Sequence, residues 1–461
     1  MFEALAAPGP EFSGTAFRYA DLFAGLGGFA SVFESLGGEH AYAVEIDAAA
    51  AAVYRRNWGN DPLGDITKDA NDSRVIVPDH DILAGGFPCQ PFSKSGAQRG
   101  MDEVRGTLFF HIEKILRVRK PTIVVLENVR NLVGPRHRHE WAVIIDHLRD
   151  AGYQVSSTPA IFSPHKIAPE HGGTPQVRER VFITATLVPE GMVMDPEPMP
   201  VALPPEVLMH REWDLIEDLP MDRAHDIPGT EITAAERTWI DHWEVMVQVM
   251  RAWRAQQAAT TGEPLRNLPG FPIWTDAWVS KRTHAEQMNG APAWKADFLR
   301  KNLDLYESLR EFLGDVQMRD WLRTVRTFPE SRRKLEWQAQ GTTSLWDCVI
   351  SLRPSGLRVK RPTHLPALVA ITQTPIIGPL GRRLSTREAA RLQGLPETFD
   401  FGDQRDAATF KQLGNGVNTG VVFQVLRAHV ERDKPLLMAT EAGRRILAAV
   451  QGVDAPTVEH V

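Results

Sequence analysis

The chain has 461 residues, of which 43% are hydrophobic and 24% are charged, so it predicts a globular protein of two or three domains. A formal net charge of -6 excludes a uniformly basic nucleic-acid binder, and any DNA contact must therefore use a local basic face. The only cysteines, Cys89 and Cys348, argue against a disulfide framework and a zinc site, and no apolar run is long enough to span a membrane.

The first residues, 1–15, are rich in alanine, glycine and proline and lack the basic region of a signal peptide. We predict a loose tail of an intracellular protein. Short apolar runs then predict strands over 18–23, 41–46, 81–84, 122–126 and 182–187. Helices are predicted over 28–36, 48–57, 107–118 and 140–151. This alternation indicates an α/β domain with a mostly parallel sheet that is covered on both faces.

A glycine-rich segment follows the first strand and begins a helix, in residues 21–28. Its glycines allow a tight turn and the close approach of a ligand to the backbone. Glu45 ends the next strand, where a carboxylate can accept hydrogen bonds from ribose hydroxyls. The pattern indicates a nucleotide-type cofactor, but a nicotinamide-dependent oxidoreductase and a plain strand-to-helix turn remain alternatives.

Reactive side chains follow the later strands. Cys89 lies on a Pro/Gly-rich loop after the third strand, and Glu127 ends the fourth. Arg178 and Arg180 precede the fifth strand. A small buried cysteine and a structural salt bridge are the alternatives to a nucleophile and a general acid whose pKa is raised by burial.

The amino-acid composition changes after residue 188. Six prolines between Pro189 and Pro205 predict a domain boundary there. Ten of the twelve tryptophans lie between Trp213 and Trp346, and their spacing predicts a helix near 239–253. We interpret them as packing residues, with base stacking as the alternative. Residues 353–391 hold eight Arg or Lys and one acid, Glu388, a local surplus of positive charge that can be a phosphate contact or a solvated basic face.

Six motifs, in order, resemble those of the cytosine carbon-5 DNA methyltransferases. They are Phe23-Ala-Gly-Leu-Gly27, Pro88-Cys-Gln90, Glu127-Asn-Val129, Gln176-Val-Arg-Glu-Arg180, Arg387-Glu-Ala-Ala-Arg-Leu-Gln-Gly394 and Gln412-Leu-Gly-Asn-Gly-Val417. The resemblance implies a doubly wound, Rossmann-like domain that binds S-adenosyl-L-methionine, with a smaller inserted target-recognition domain. It also implies a tail at 1–16, a catalytic and cofactor-binding domain at 17–188, a target-recognition region at 189–375, and C-terminal motifs with a terminal helix at 376–461.

The resemblance assigns the cofactor-binding residues by position. They are Phe23, Gly25, Leu26, Gly27, Glu45, Ile46, Asp65, Ile66, Gly86, Pro88, Leu108, Asn415 and Val417. Ile46 replaces a tryptophan found in many relatives, which puts the strength of adenine stacking in doubt. Ala367 stands where many relatives carry a threonine.

The resemblance also implies the chemistry. The Cys89 thiolate would add to cytosine C6, and Glu127 would hydrogen-bond or protonate N3. Arg180 would hold O2, with Arg178 supporting the same network. The cytosine must leave the duplex, and nothing in the sequence identifies the base that removes the C5 proton.

Double-stranded DNA is the expected partner. The expected contacts are Ser93, Lys94, Arg99 and Arg105 in a closing loop, and Arg353, Arg358, Lys360 and Arg361 near the end of the target-recognition region. The cluster at 136–139 is interpreted as surface or phosphate-facing, and no metal is expected. A tRNA methyltransferase of the same fold and an inactive DNA-binding regulator remain alternatives. We expect a monomer in the bacterial cytoplasm, associated with the nucleoid through DNA, that protects host DNA from a separately encoded restriction endonuclease.

Overall fold

The computed structural model describes residues 15–88, 108–368 and 374–455. Its strands are β1 Phe17–Leu22, β2 Gly38–Val44, β3 Ile82–Gly86, β4 Ile123–Val129, β5 Tyr153–Val155, β6 Ala160–Phe162, β7 Gln176–Val177, β8 Arg180–Leu187, β9 Ile273–Trp274, β10 Lys334–Gln338, β11 Val349–Arg353, β12 Gly356–Lys360, β13 Leu365–Pro366, β14 Ile376–Ile377 and β15 Arg382–Arg383.

The described α-helices, in chain order, are α1 Gly28–Ser35, α2 Ala48–Trp58, α3 Ile66–Asp69, α4 Leu108–Arg119, α5 Arg138–Asp150, α6 Leu215–Asp218, α7 Ala234–Thr261, α8 Lys281–Met288, α9 Ala293–Leu313, α10 Asp315–Val325, α11 Thr386–Leu392, α12 Asp406–Asn415, α13 Thr419–Arg432, α14 Lys434–Met438 and α15 Glu441–Gln451. Short 3-10 turns connect several of them. None of the helices in the described ranges is long and apolar enough to cross a membrane.

A large sheet organises the first part of the chain, in the order β2-β1-β3-β4-β8-β5, with β6 also paired to β8. Strands β1 to β4 run parallel to their neighbours, as predicted. Strand β8 is antiparallel to β4. The short strands β5 and β6 also pair with β8, and both of these pairings are antiparallel. The sheet is therefore mixed: β5, which follows helix α5, runs in the direction of β4, and β8 lies between them in the opposite direction.

Both faces of this sheet are covered, which makes the domain doubly wound. On β3, Ile82 and Ala84 face a core that includes α1, α13 and α15. Leu83 between them faces a second core that includes α4 and α5. Alternate residues of a strand point to opposite faces, so a strand buried on both sides is continuously apolar. The α/β class predicted from the sequence is confirmed.

A second sheet, the insert sheet, has the order β15-β14-β11-β12-β10-β9. Helices α7, α9 and α10 pack against it around buried tryptophans such as Trp243, Trp278 and Trp337. These side chains pack in the core, in agreement with our interpretation, whereas Trp294 is exposed. The predicted helix near 239–253 is the central part of the longer α7.

Sheet membership places the boundaries of this unit differently from the sequence. Strands β14 and β15 pair within the insert sheet, although 376–461 was expected to form the returning C-terminal part. Val201 and Val207 pack into the first core, although 189 was expected to begin the target-recognition region. We therefore propose that the compact insert runs from about α7 to β15. Two-residue strands carry too little pattern to be predicted from sequence.

The C-terminal return is connected to the rest through a buried ion pair. Arg382 donates two hydrogen bonds to the Glu388 carboxylate, at 2.9 and 2.7 Å, and both side chains are almost fully buried. The same carboxylate accepts from the backbone N–H of Ser385 at 2.9 Å, which completes a capping box on α11. It also accepts from the backbone N–H of Asp222 at 3.0 Å. Glu388 thereby joins α11, the insert sheet and the segment that enters the insert.

Glu388→Ala should lower the free energy of unfolding by about 3–5 kcal/mol, because the change leaves the Arg382 guanidinium buried without its counter-charge. The measurement is urea unfolding of the cofactor-free protein. Glu286→Ala is the matched control, since Glu286 lies on a helix but pairs with Arg282 at the exposed surface. A surface pair is worth at most about 1 kcal/mol. Equal shifts in the two variants would contradict the role given to Glu388.

Candidate active site

The loop after β1 has an unusual backbone. Phe23 has φ 55°, and Gly25 and Gly27 also have positive φ. A Cβ on Gly27 would lie 2.0 Å from the indole nitrogen of Trp58, so this position has no room for a side chain. A non-glycine residue held at positive φ is strained, and such strain is concentrated at functional sites. The loop is therefore shaped for a ligand.

Glu45 connects this loop to the end of β2. Its carboxylate accepts hydrogen bonds from the backbone N–H of Gly25 at 2.9 Å and of Asp47 at 2.7 Å. Each carboxylate oxygen can accept a second bond. Glu45 thus stabilises the loop and still offers acceptor capacity to a ligand.

A cavity of about 440 Å3 opens at the carboxyl ends of the parallel strands. In open α/β sheets this is the edge where ligands bind. Its wall is formed by Phe23, Gly25, Val44, Glu45, Ile46, Asp47, Ala50, Gly64, Asp65, Ile66, Gly86, Phe87, Pro88, Leu108, Glu127, Asn128, Val129, Arg180, Lys411, Gln412, Gly414 and Asn415. The structure thus brings segments from both ends of the chain to one cavity.

Ten of the thirteen predicted cofactor residues line this cavity, and three do not. Leu26 packs into the core beneath the C-terminal motifs, and its carbonyl accepts a hydrogen bond from the Trp58 indole at 3.0 Å. Gly27 is the N-cap of α1, and Val417 packs where a Cβ on Gly28 would lie. We therefore assign these three residues to shaping the loop.

The wall fits the adenosyl part of S-adenosyl-L-methionine. Ile46 is 74% exposed, so it presents an apolar surface on which a planar base can pack. Asp65 caps α3, and hydrogen bonds from Thr67 lower the pKa of its carboxyl, so that it carries a negative charge at neutral pH. A cavity of this size is in the range of small-molecule sites, about 300–1,000 Å3.

Glu127 also lines the cavity, and it lies beside Gly86, the last residue of β3. It is buried, and its Oε1 is 2.8 Å from Nε of Arg180. Burial raises the pKa of the carboxyl, and the charges of Arg180 and Arg178 oppose that shift only in part. A Cβ on Gly86 would approach Glu127 Oε2 to 3.3 Å, so glycine keeps this carboxyl accessible. A raised pKa favours the protonated form of this carboxyl relative to an exposed glutamate, as a general acid requires.

Arg178 is not among the residues that line this cavity, although its charge is close enough to Glu127 and Arg180 to affect their electrostatics. Its buried guanidinium donates to the backbone carbonyls of Leu368 at 3.2 Å, Gly414 at 2.9 Å and Gly416 at 2.6 Å. Burial lowers its pKa to about 9, which still leaves it charged at neutral pH. Arg178 therefore acts on the site through position and electrostatics, since it holds the C-terminal wall of the cavity.

The loop expected to carry the nucleophile lies largely outside the described residues. The predicted site residues in that part of the chain are Cys89, Ser93, Lys94, Arg99 and Arg105. Its described start is held by Asn128, whose side-chain amide donates to the Phe87 carbonyl at 2.8 Å. The other cysteine, Cys348, is buried in the insert, and burial raises the pKa of its thiol to about 12. Cys348 therefore lacks the thiolate character of a nucleophile.

Sequence reasoning missed two charged residues of the cavity. Asp47, the N-cap of α2, and Lys411, on α12, both line it and form an ion pair with 3.2 Å between Nζ and Oδ2. Lys411 directly precedes the last motif, and Asp47 follows Ile46 by one residue. Position beside a motif was therefore the only available signal.

The four basic residues predicted near the end of the target-recognition region lie on or just after the β11–β12 hairpin, and they differ in their partners. Arg358 pairs with Glu336 at 2.7 Å on the neighbouring strand, and Arg361 pairs with Glu212. Arg353 and Lys360 form no ion pair with another described residue. Burial is the main cause that lowers the pKa of Lys360, and the charges of Arg358 and Arg353 lower it further. Free charge on this face thus resides on Arg353 and Lys360.

Comparison with known proteins agrees with this geometry. The profile of the family described as C-5 cytosine-specific DNA methylase matches residues 17–431. The chain is 47% identical to the type II methyltransferase M.AluI of Cellulosimicrobium cellulans, over 94% of this chain and 96% of that protein. It is 42% identical to M.HhaI of Haemophilus parahaemolyticus over 37% of this chain and 49% of that protein. M.HgiBI of Herpetosiphon aurantiacus is 26% identical over 89% and 96% of the two chains.

These matches confirm the resemblance predicted from the six motifs. They do not favour the tRNA methyltransferase, the inactive regulator or the nicotinamide-dependent oxidoreductase. The chain belongs to the C-5 cytosine-specific DNA methylase family, and it is a DNA (cytosine-5-)-methyltransferase that takes its methyl group from S-adenosyl-L-methionine.

Proposed function

We propose that this protein is a sequence-specific modification enzyme whose cavity brings a flipped-out cytosine against Glu127 and Arg180. The observation that carries the proposal is the buried Glu127–Arg180 pair, which lies at one end of a cavity whose other end has Glu45 and Ile46. An acid of raised pKa beside a guanidinium suits a pyrimidine ring that gains electron density at N3. Because these groups cannot reach a base inside a stacked duplex, the cytosine must flip out.

In the proposed mechanism the chain makes cytosine C5 nucleophilic. The Cys89 thiolate forms a bond to C6, and the electron pair displaced from the ring is drawn toward N3, where Glu127 donates its proton. Arg180 holds the cytosine O2 and keeps the Glu127 carboxyl in place. After the methyl group is in place, loss of the C5 proton to a base restores the C5–C6 double bond and expels the Cys89 thiolate, and N3 returns its proton to the Glu127 carboxylate. We propose that a water molecule accepts the C5 proton.

The cofactor would lie along the remaining wall. Glu45 would hold the ribose hydroxyls, Ile46 and Ile66 would contact the adenine, and Phe23 and Pro88 would flank the methionine end. When bound, the cofactor supplies an electrophilic methyl group on its sulfonium. The chain contributes the loop backbone and the apolar wall that exclude water from the reacting atoms.

The target sequence is proposed to be read by the insert, and to be the same sequence that the M.AluI relative modifies. Their 47% identity covers 94% of this chain, which leaves about 28 of 461 residues unmatched, far fewer than the insert contains. Base-edge contacts and DNA shape carry specificity, whereas phosphate contacts position the protein.

The experiment that tests this function is transfer of tritiated methyl groups to duplex DNA, followed by bisulfite sequencing. Unmethylated DNA should accept label on cytosine, and DNA fully modified by the M.AluI relative should accept almost none, because the same cytosines are occupied. Cys89→Ser should abolish transfer and leave cofactor binding nearly unchanged, since serine is a far weaker nucleophile.

Cys348→Ser is the matched control, because its buried thiol lies in the insert core. It should keep full transfer. Label entering premodified DNA at the unmodified rate would refute the shared target, and active Cys89→Ser protein would refute the covalent mechanism.

Glu127→Gln should slow single-turnover methyl transfer by about 10²–10⁴-fold and change DNA affinity little. The amide keeps the shape of the side chain but cannot donate a carboxyl proton to N3. Glu113→Gln is the control, because Glu113 is also a buried glutamate but pairs with Arg117 on α4. A Glu127→Gln rate within a factor of about two of wild type would count against the acid role.

DNA phosphates are proposed to contact the unpaired cations of the hairpin face. Lys360→Met should weaken binding to all sequences alike and reduce the slope of log K against log salt by about one unit, because one counterion fewer is released. Arg358→Met should leave the salt slope nearly unchanged, because its guanidinium is neutralised by Glu336. The two slopes are measured by fluorescence anisotropy, and the reverse order would show that the Glu336 pair opens on DNA.

We further infer that the enzyme acts as a monomer in the bacterial cytoplasm, as expected of a modification enzyme that contacts DNA alone. A separately encoded restriction endonuclease would recognise the same sequence, in keeping with relatives named type II methyltransferases. Sedimentation velocity at micromolar protein, with and without duplex, tests the monomer.

A further inference from the structure

Two histidines meet where the catalytic domain joins the end of the insert region. His165 lies in the 3-10 turn Pro164–Lys166, and His364 directly precedes β13. Their ring centroids are 6.1 Å apart and the ring planes differ by 30°. Parallel pairing of β13 with β7 holds the two segments together. The proximity of the rings is therefore a property of the domain junction.

This junction is close to the catalytic pair. The Ser163 hydroxyl accepts a hydrogen bond from the backbone N–H of Arg178 at 2.9 Å, and it also contacts Nδ1 of His165 at 2.8 Å. Arg178 is two residues from Arg180. A ligand at the histidine pair would therefore lie beside the segment that carries the proposed cytosine contact.

The two rings differ in the contacts that remain open. Nδ1 of His165 is paired with Ser163, and Nδ1 of His364 contacts the Thr363 hydroxyl at 2.9 Å. The His165 ring also faces the backbone of Gln176 as a hydrogen-bond partner, which a phosphate would have to replace. Both rings are half-buried, and the ring of His364 shows no second hydrogen bond within the described ranges.

The charges around the pair favour an anion. Lys166 and Glu179 face His165, while Lys360, Arg361 and Glu212 face His364. Both acids are already paired, Glu179 with Arg130 and Glu212 with Arg361. Lys166 and Lys360 have no ion-pair partner among the residues that the structure describes. The uncompensated charge at the junction is therefore positive.

We propose that His165 and His364 form a phosphate-binding site that contacts the DNA backbone across the junction and takes up protons as it does so. The inference rests on the proposed DNA-binding function and adds two contact residues to it. An imidazolium donates charge-assisted hydrogen bonds to phosphate oxygens, which are stronger than neutral ones. Contact from both segments would also fix the insert relative to the catalytic domain on DNA.

The protonation of the free protein agrees with proton uptake. Burial lowers the pKa of His165 to about 4, and the charges of Lys166 and His364 add to that shift. Burial also lowers the pKa of His364, with further lowering by Lys360 and Arg361. Both rings are therefore neutral at neutral pH before DNA binds. A phosphate between them reverses the local field and raises both pKa values.

The sign of the pH effect follows from this difference. Because the bound state has the higher histidine pKa, it holds more protons than the free state between the two values. The added affinity is lost as the pH rises through the pKa of the bound state, and it grows as the pH falls toward that of the free state. DNA should therefore bind more tightly in mildly acidic solution.

The test is the affinity for a fluorescein-labelled duplex that carries the modified sequence, measured by anisotropy from about pH 6 to about pH 8 at constant salt. Wild-type protein should bind about five- to tenfold more tightly at the acidic end. His165→Asn and His364→Asn should each remove about half of that dependence, and the double variant should remove nearly all of it. Asparagine keeps an amide near the hydroxyl partner of Nδ1 but lacks a group at Nε2.

Calorimetry in buffers of different ionisation enthalpy provides a second readout, because wild-type protein should take up protons on DNA binding and the double variant should not. His147→Asn is the matched control. His147 pairs with Glu113 between α4 and α5, and its change should leave the pH dependence intact. At the alkaline end the His147→Asn control should bind DNA and transfer methyl groups like wild type.

Three outcomes would overturn the site. The first is a wild-type affinity that does not change with pH, and the second is a double variant with the wild-type dependence. In the third, stoichiometric zinc binding that requires both histidines would make the pair a metal site. If inorganic phosphate alone saturates the pair with unchanged DNA affinity, the anion is a free phosphate and the DNA contact is wrong. If wild-type protein methylated no DNA at any pH, the proposed function itself would be refuted.

Discussion

The arrangement of the site depends on one buried guanidinium. Arg178 follows β7, two residues before β8, and it donates to backbone carbonyls before and inside the last motif. The segment that includes Gly414 and Asn415 thereby becomes part of a cavity whose other wall begins at Phe23. Separating the C-terminal segment from the sheet would leave the terminal nitrogens of this buried guanidinium without these partners, so the two have little freedom to separate.

The same constraint orders the catalytic end. Arg178 and Arg180 lie two residues apart around an antiparallel entry into β8, which brings Arg180 to Glu127 and leaves Arg178 to the C-terminal wall. One short segment therefore carries two cations with different partners. Arg180 pairs with Glu127, and Arg178 binds backbone carbonyls of the C-terminal segment. Without the antiparallel direction of β8, Arg180 would not lie opposite Val129, next to the strand end that carries Glu127.

Features with local signals could be predicted from the sequence, and features made by distant contacts could not. Alternating apolar runs predicted β1 to β4 and the acids that follow them, since strand ends are read from a few adjacent residues. Leu26 and Val417 were predicted to contact the cofactor but pack behind the loop instead. Residues of one motif can face either the ligand or the core behind it, and the motif does not show which. The Asp47–Lys411 pair joins positions 364 residues apart, and nothing in either local sequence indicates the other.

The membership of β14 and β15 in the insert sheet has a consequence for recombination between relatives. An exchange that ended near residue 361 would pair β11 of one relative with β14 and β15 of the other. Ile376 of β14 packs in the insert core, so such a hybrid would combine core side chains from two proteins and would tend to lose stability before its specificity could be examined. The unit that can move between scaffolds with its sheet and core intact therefore extends through Arg383, and its junction falls just before the buried carboxylate of Glu388.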